Sequence, residues 1–222
     1  MSTNKVIKAS KQTRADKSLP AKWKRAVMHN AVALAGASLG AAGAMGACPG
    51  NVTGTRTMAC NLTGSDSVTV TSTGSIVVNP GPSAISVDSA STNVTITNEG
   101  TISATNTTDA SGIGVDGDFN GSINNSGTIT GTVNGSTTAS AAGIYIDDTV
   151  TETSSITNSG TVTAQATASA GDAEAYGMDL DRDLEGTLTN TADGIITGAA
   201  TGQSATAYGV LVYYTMTPTG SI

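Results

Sequence analysis

The sequence predicts an all-β chain folded as a parallel β-solenoid, and three observations carry that expectation. Two short phrases recur through the body of the chain about every thirty residues, apolar residues within each phrase sit two apart, and aromatic residues make up only 3% of the 222 residues. Charged residues amount to 12%, which is about half the density of an ordinary globular domain. With one Trp and one Phe, a core of large aromatics is excluded, and the core must be built from Val, Ile, Leu and Ala. A Lys/Glu-rich helical bundle is excluded by the same composition.

The net charge of -7 joins two unlike parts. Eight of the ten basic residues lie between Lys5 and Arg25, and only Arg56 and Arg182 follow, so residues 26–222 carry sixteen acids against two arginines, a net of -14. Phosphate binding needs clustered Lys and Arg, so nucleic acid is excluded as a partner of this body.

In chain order, the basic segment Met1 to Arg25 is followed by a small-residue apolar run from Ala31 to Ala47. Together, residues 1–47 read as a secretory signal peptide, helical or disordered, with an extended basic n-region. Ala42-Gly43-Ala44 is the best match to the small-x-small cleavage pattern, and cuts after Gly46 or Ala47 remain open. A membrane anchor fits less well, because spanning a bilayer takes about 20 strongly apolar residues.

Residues 48–67 follow as an N-terminal cap. Cys48 and Cys60 enclose a Gly-rich stretch, and in an oxidising compartment such an even pair reads as a disulfide. The competing reading is a lipoprotein with Cys48 as its lipidated first residue. That would leave Cys60 without a partner, and Met45 suits the lipid-site pattern poorly.

Residues 68–222 hold the repeats. The first phrase appears as ITNEGTI (Ile96 to Ile102), INNSGTI (Ile123 to Ile129), ITNSGTV (Ile156 to Val162) and LTNTADGII (Leu188 to Ile196). Its asparagines, Asn98, Asn125, Asn158 and Asn190, are 27, 33 and 32 residues apart. The second phrase is AISVD (Ala84 to Asp88), GIGVD (Gly112 to Asp116), GIYID (Gly143 to Asp147), GMDLD (Gly177 to Asp181) and GVLVY (Gly209 to Tyr213). Two-residue alternation means a strand with one buried face, and the Gly, Asn, Ser and Thr tracts between phrases read as turns. Such a unit buries its apolar face only by stacking on copies of itself. Four to five rungs then fit after Val68, with the four asparagines forming an amide ladder at a corner. Tyr176 and Tyr208, each in an Ala-Tyr-Gly context, are expected to stack likewise.

The leader, the Cys48/Cys60 pair, the N-x-G-T-I phrases and the G-I-x-V/I-D phrases together resemble the passenger domains of bacterial autotransporters. The resemblance spans residues 48–222 and implies a right-handed parallel β-helix displayed at the cell surface or released. Proteins of that family end in a membrane β-barrel, which this sequence lacks, so outer-membrane association would need a barrel supplied beyond it. Gly220-Ser221-Ile222 matches Gly121-Ser122-Ile123 and Gly186-Thr187-Leu188, the opening of another phrase, which leads to the expectation of a chain truncated mid-repeat.

The catalytic inventory is thin. The only histidine, His29, lies in the leader, so a Ser/His/Asp or Cys/His mechanism lacks its base. A β-helix polysaccharide lyase would need Lys or Arg as a base beside calcium, and two scattered arginines do not supply it. Asp179, Asp181, Asp183 and Glu185 could pair for glycoside hydrolysis, but their alternation with Met178, Leu180 and Leu184 reads as an outward, solvated edge. The run Asp116, Asp118, Asn120, Gly121, Ile123 follows the first positions of a calcium loop, but Gly127 stands where a closing Glu belongs. The same run reads equally as a turn between phrases. No cofactor is expected. The leading expectation is a non-enzymatic exported protein with an adhesive or structural role, whose partner is a surface receptor or glycan. A carbohydrate-active β-helix enzyme and a non-functional remnant of a longer autotransporter are the alternatives.

Overall fold

The computed structural model describes residues 46–217, Gly220 and Ile222; the expected signal peptide, apart from Gly46 and Ala47, lies outside the described residues. Among the described residues the regular structure is entirely β and every strand pairing is parallel. The chain winds through coils of three strands each. The first coil is β1 (Gly46–Ala47), β2 (Asn51–Val52) and β3 (Thr55–Arg56), and the second is β4 (Cys60–Leu62), β5 (Ser67–Val70) and β6 (Ser75–Val78). The third is β7 (Ser83–Val87), β8 (Val94–Asn98) and β9 (Thr101–Asn106), and the fourth is β10 (Asp109–Val115), β11 (Gly121–Asn125) and β12 (Thr128–Gly135). The fifth is β13 (Thr138–Ile146), β14 (Ser155–Asn158) and β15 (Thr161–Ala168), and the sixth is β16 (Asp172–Leu180), β17 (Thr187–Asn190) and β18 (Ile195–Thr201). Strand β19 (Ser204–Val212) starts a seventh.

Every third strand stacks on the last, which gives three sheets. The first runs β1-β4-β7-β10-β13-β16-β19, the second β2-β5-β8-β11-β14-β17 and the third β3-β6-β9-β12-β15-β18. This is a parallel β-helix. Its pairings bring the expected phrases into register: Ile96, Ile123, Ile156 and Leu188 align, as do Ile102, Ile129, Val162 and Ile196. In the first sheet Ile85, Ile113, Ile144, Met178 and Val210 form a third column, with Val87, Val115, Ile146, Leu180 and Val212 two residues on. The columns are buried from Ile85 to Leu180, and in the last coil Ile196, Val210 and Val212 pack partly buried against that core. Burying each such side chain is worth about 1.5–3 kcal/mol, so the core is a set of aliphatic stacks.

The segment expected as an N-terminal cap is woven into the same sheets, since β1 to β4 carry residues 46–62. After Val68 the chain makes the four coils from β7 to β18, with partial coils on either side, as the repeat period requires.

The glycine of the N-x-G phrase is explained by close approach. A Cβ on Gly127 would lie 2.2 Å from the carbonyl oxygen of Gly100 one coil earlier, and one on Gly160 would lie 2.2 Å from that of Gly127. Each turn therefore needs hydrogen at this position so that the next can nest on it.

Candidate functional site

The four phrase asparagines form the expected ladder. Asn98 Nδ2 donates to Asn125 Oδ1, Asn125 Nδ2 to Asn158 Oδ1 and Asn158 Nδ2 to Asn190 Oδ1, each at 2.7 Å. The same nitrogens also reach backbone carbonyls, as in Asn98 to Thr128 O at 3.1 Å and Asn125 to Thr161 O at 3.2 Å. Asn98, Asn125 and Asn158 are buried, so each amide trades water for partners in the next coil. The ladder has a direction. At its start, Asn98 Oδ1 is buried without a hydrogen-bond partner, because Val70 occupies the position beneath it in register. At its end, Asn190 Nδ2 turns to Gly194 O at 2.8 Å.

The other structural expectations also meet. Cys48 and Cys60 form a disulfide with Cα atoms 4.7 Å apart. Tyr176 and Tyr208 stack with ring centroids 6.0 Å apart and planes 4° from parallel.

Charge is sorted by location. Apart from Arg56, the strands of the second and third sheets contain no charged residue. Many of their intermediate and exposed positions form hydroxyl rows: Thr101, Thr128 and Thr161 align, as do Ser103, Thr130, Thr163 and Thr197, with the exposed Ile195 and Val77 interrupting the two rows at their ends. On the second sheet Thr95, Ser122, Ser155 and Thr187 make a comparable row. Hydroxyls of adjacent coils touch where geometry allows, as between Thr163 and Thr197 at 3.4 Å.

Ten acids collect where the first sheet turns into the second, while Asp109, Asp172, Glu174 and Asp179 stand in first-sheet strands and Glu99 and Asp193 in turns from the second sheet to the third. Asp88, Asp116, Asp147 and Asp181 each follow the end of a first-sheet strand, and their amides donate to Leu62, Val87, Val115 and Ile146 carbonyls at 3.0–3.1 Å. They therefore stand one above another along the corner. Asp66, Asp118, Asp148, Glu152, Asp183 and Glu185 lie in the same set of turns. Tyr145 OH bridges two levels, reaching Asp147 Oδ1 at 2.6 Å and Asp181 Oδ2 at 3.0 Å.

The calcium-like run falls at this corner and is occupied as a turn. Asp116 caps β10, Gly117 adopts φ 102°, Asp118 Oδ1 accepts from Thr149 N at 3.2 Å, and the Asn120 carbonyl accepts from Val94 N at 3.1 Å. Phe119, in the middle of the run, is fully buried and bridges to Val150. Among the described residues, no group of three or more His, Cys, Asp or Glu could hold a metal ion.

The acids after β16 do not share one environment. Asp183 lies at the surface, where Thr215 Oγ1 and Thr215 N both donate to its Oδ1. Those two bonds, the side-chain one first, hold its carboxyl below the ordinary value, with desolvation opposing them and the Arg182 charge the least of the causes. Asp179 corrects the expectation of a solvated edge, because it is only 3% exposed. Its register neighbours Tyr145 and Leu211 carry larger side chains, which take the place of solvent beside it.

One repeated element went unread in the sequence. Phe119, Val150, Leu184 and Met216 bridge in succession, forming another apolar column under the acidic corner. The signal was present, since each stands three residues after Asp116, Asp147, Asp181 and Tyr213. Ser91 holds the same offset from Asp88 and is also buried, donating to Leu62 O at 3.2 Å.

Comparison with protein families, with curated proteins and with solved structures returned no match to this chain.

Proposed function

We propose that the chain is an exported β-helical protein of the autotransporter-passenger kind, acting at the cell surface or after release through adhesion or as a structural stalk. The observation that supports this most is the sorting of charge: the Thr- and Ser-rich strands of the second and third sheets carry no charged residue apart from Arg56, and ten acids gather at one corner. A rigid wall of aligned Thr and Ser side chains offers donors and acceptors without desolvating a charge, which suits an uncharged partner such as a neutral glycan. The acidic corner keeps copies apart through like charge.

Two measurements test the reading. Residues 1–47 fused to a reporter should direct it out of the cytoplasm, and retention of the reporter would sink the export part. The folded body should bind neutral glycans on an array with little change between low and high salt, because exposed charges are screened and hydroxyl contacts are not. Binding that vanishes at high salt would move the adhesive role to the acidic corner.

A further inference from the structure

We propose that the outer face of the second sheet binds ice, its aligned hydroxyls docking on the water lattice of a crystal face. The inference deepens the adhesive reading above and rests on it, by naming the partner of one uncharged wall.

Two columns of side chains run along that face through five successive coils. Ser67, Thr95, Ser122, Ser155 and Thr187 align in the first column. Thr69, Thr97, Asn124, Thr157 and Thr189 align in the second. Nine of these ten positions carry a hydroxyl, and the tenth is the amide of Asn124. All are exposed or half-buried, while the residues between the columns, from Val68 to Leu188, are buried in the core. The strand geometry then sets the spacings: about 4.8 Å from coil to coil and about 6.6 Å between positions two residues apart on one strand. Oxygens on a prism face of hexagonal ice repeat at comparable distances in two perpendicular directions. The third sheet has similar columns, but they run into the exposed Val77 at one end and Ile195 at the other.

A repeating face selects a repeating partner. A soluble sugar touches one or two of these positions, whereas a crystal face meets every coil in register, so that many weak contacts add. The charge pattern agrees, because the second-sheet strands contain no charged residue and ice is neutral. Docking therefore strips water from no ion. The array is also stiff before it binds. Thr is restricted at χ1 by its β-branch, so little rotamer freedom is lost on contact. Thr97, Asn124, Thr157 and Thr189 directly precede the ladder residues, whose amides bond coil to coil at 2.7 Å and pin these strands in register. Ser122 Oγ donates to Thr95 Oγ1 at 3.5 Å, at the long limit of a hydrogen bond, which leaves both hydroxyls able to engage water.

The test measures the full chain in freezing solution. Growing ice should take up the folded protein, and seeded crystals should develop facets and stop growing over a gap below the melting point. Folded protein that is excluded from ice and opens no gap overturns the proposal. Thr97→Tyr with Thr157→Tyr, which raises two rings from the face, should remove most of the gap. Thr97→Lys, which sets a charge on it, should do the same and serves where circular dichroism shows that the ring pair disturbs folding. Thr130→Tyr, on the third sheet, should keep the gap. A gap that survives the second-sheet variants, or that disappears with Thr130→Tyr, also overturns the proposal. Glycan binding without ice uptake sinks the proposal and leaves the adhesive reading standing, whereas absence of both sinks the two together.

Discussion

The first coil and the middle coils of this β-helix are held by different forces. In the first coil each strand is two residues long, and the buried apolar side chains from Gly46 to Ala59 are those of Val52 and Ala59. What closes it is a disulfide and one guanidinium with four backbone acceptors. In the fourth and fifth coils, strands reach eight and nine residues, aliphatic columns fill the interior, and buried amides pair between levels. The lesson concerns length. A strand too short to bury an apolar face needs covalent or charge-assisted bonds, whereas a long one is held by packing and by its neighbours in the stack.

The largest expected effect comes from breaking a middle column. Ile144→Ala removes a fully buried side chain between Ile113 and Met178 and should cost about 2–5 kcal/mol in denaturant unfolding. A loss below about 1 kcal/mol would mean that the column collapses to fill the gap.

Next comes the first coil, where Cys48→Ser with Cys60→Ser opens a loop with a sequence separation of 12. Chain-entropy arguments assign such a cross-link about 3 kcal/mol. The loss should appear as faster amide exchange in β1 to β4 and leave β10 to β15 protected, because local opening need not spread along a stack. Uniform loss of protection along the chain would erase the contrast between the two regions.

The amide ladder gives a smaller and more discriminating comparison. Asn125→Val takes the donor from Asn158 Oδ1 and an acceptor from Asn98 Nδ2, whereas Asn98→Val takes the donor from Asn125 Oδ1 but also removes an oxygen that already lacks a partner, so only the central substitution adds a net buried orphan. A buried orphan costs about 1–3 kcal/mol, so the central substitution should be the more destabilising by about 1 kcal/mol. Equal effects would show that ladder position carries no energetic weight.

The smallest effect lies at the acidic corner. The Asp183 carboxyl should titrate below the ordinary carboxylate value, and Thr215→Val should move its NMR midpoint upward by removing the largest cause of the shift. Because the folded pKa is the lower one, any contribution to stability is present above the unfolded value and fades as pH falls through the folded one. A midpoint that stays put in Thr215→Val would place the cause elsewhere.

Much of this was legible in the sequence because a stacked repeat converts sequence spacing into contact. Asn98, Asn125, Asn158 and Asn190 could be paired from spacing alone, as could Tyr176 with Tyr208, since equal positions in successive coils lie one strand spacing apart. Cys48 and Cys60 were legible for a different reason, as an even pair across a short loop. The Phe119 column was missed because its members, Phe, Val, Leu and Met, share shape and position but no recurring letter. Asp179 was misread because alternation assigns a face and says nothing of what covers that face.

By itself, then, the sequence determined the parallel stack, its aliphatic columns and its amide corner, because each follows from local periodicity repeated along one axis, and the disulfide, because an even pair of cysteines stands a short loop apart. Only the tertiary structure decided how the three sheets divide the surface. The acids are spread along the linear chain, and winding it in coils of three strands brings ten of them onto one corner and leaves two sheets whose strands, apart from Arg56, carry no charge. The same winding sets β1 under Arg56, whose guanidinium donates to Gly46 O and Ala47 O. The physical reason is common to both: side-chain neighbours between coils are chosen by the length of each turn and the register of each strand, which no single phrase contains.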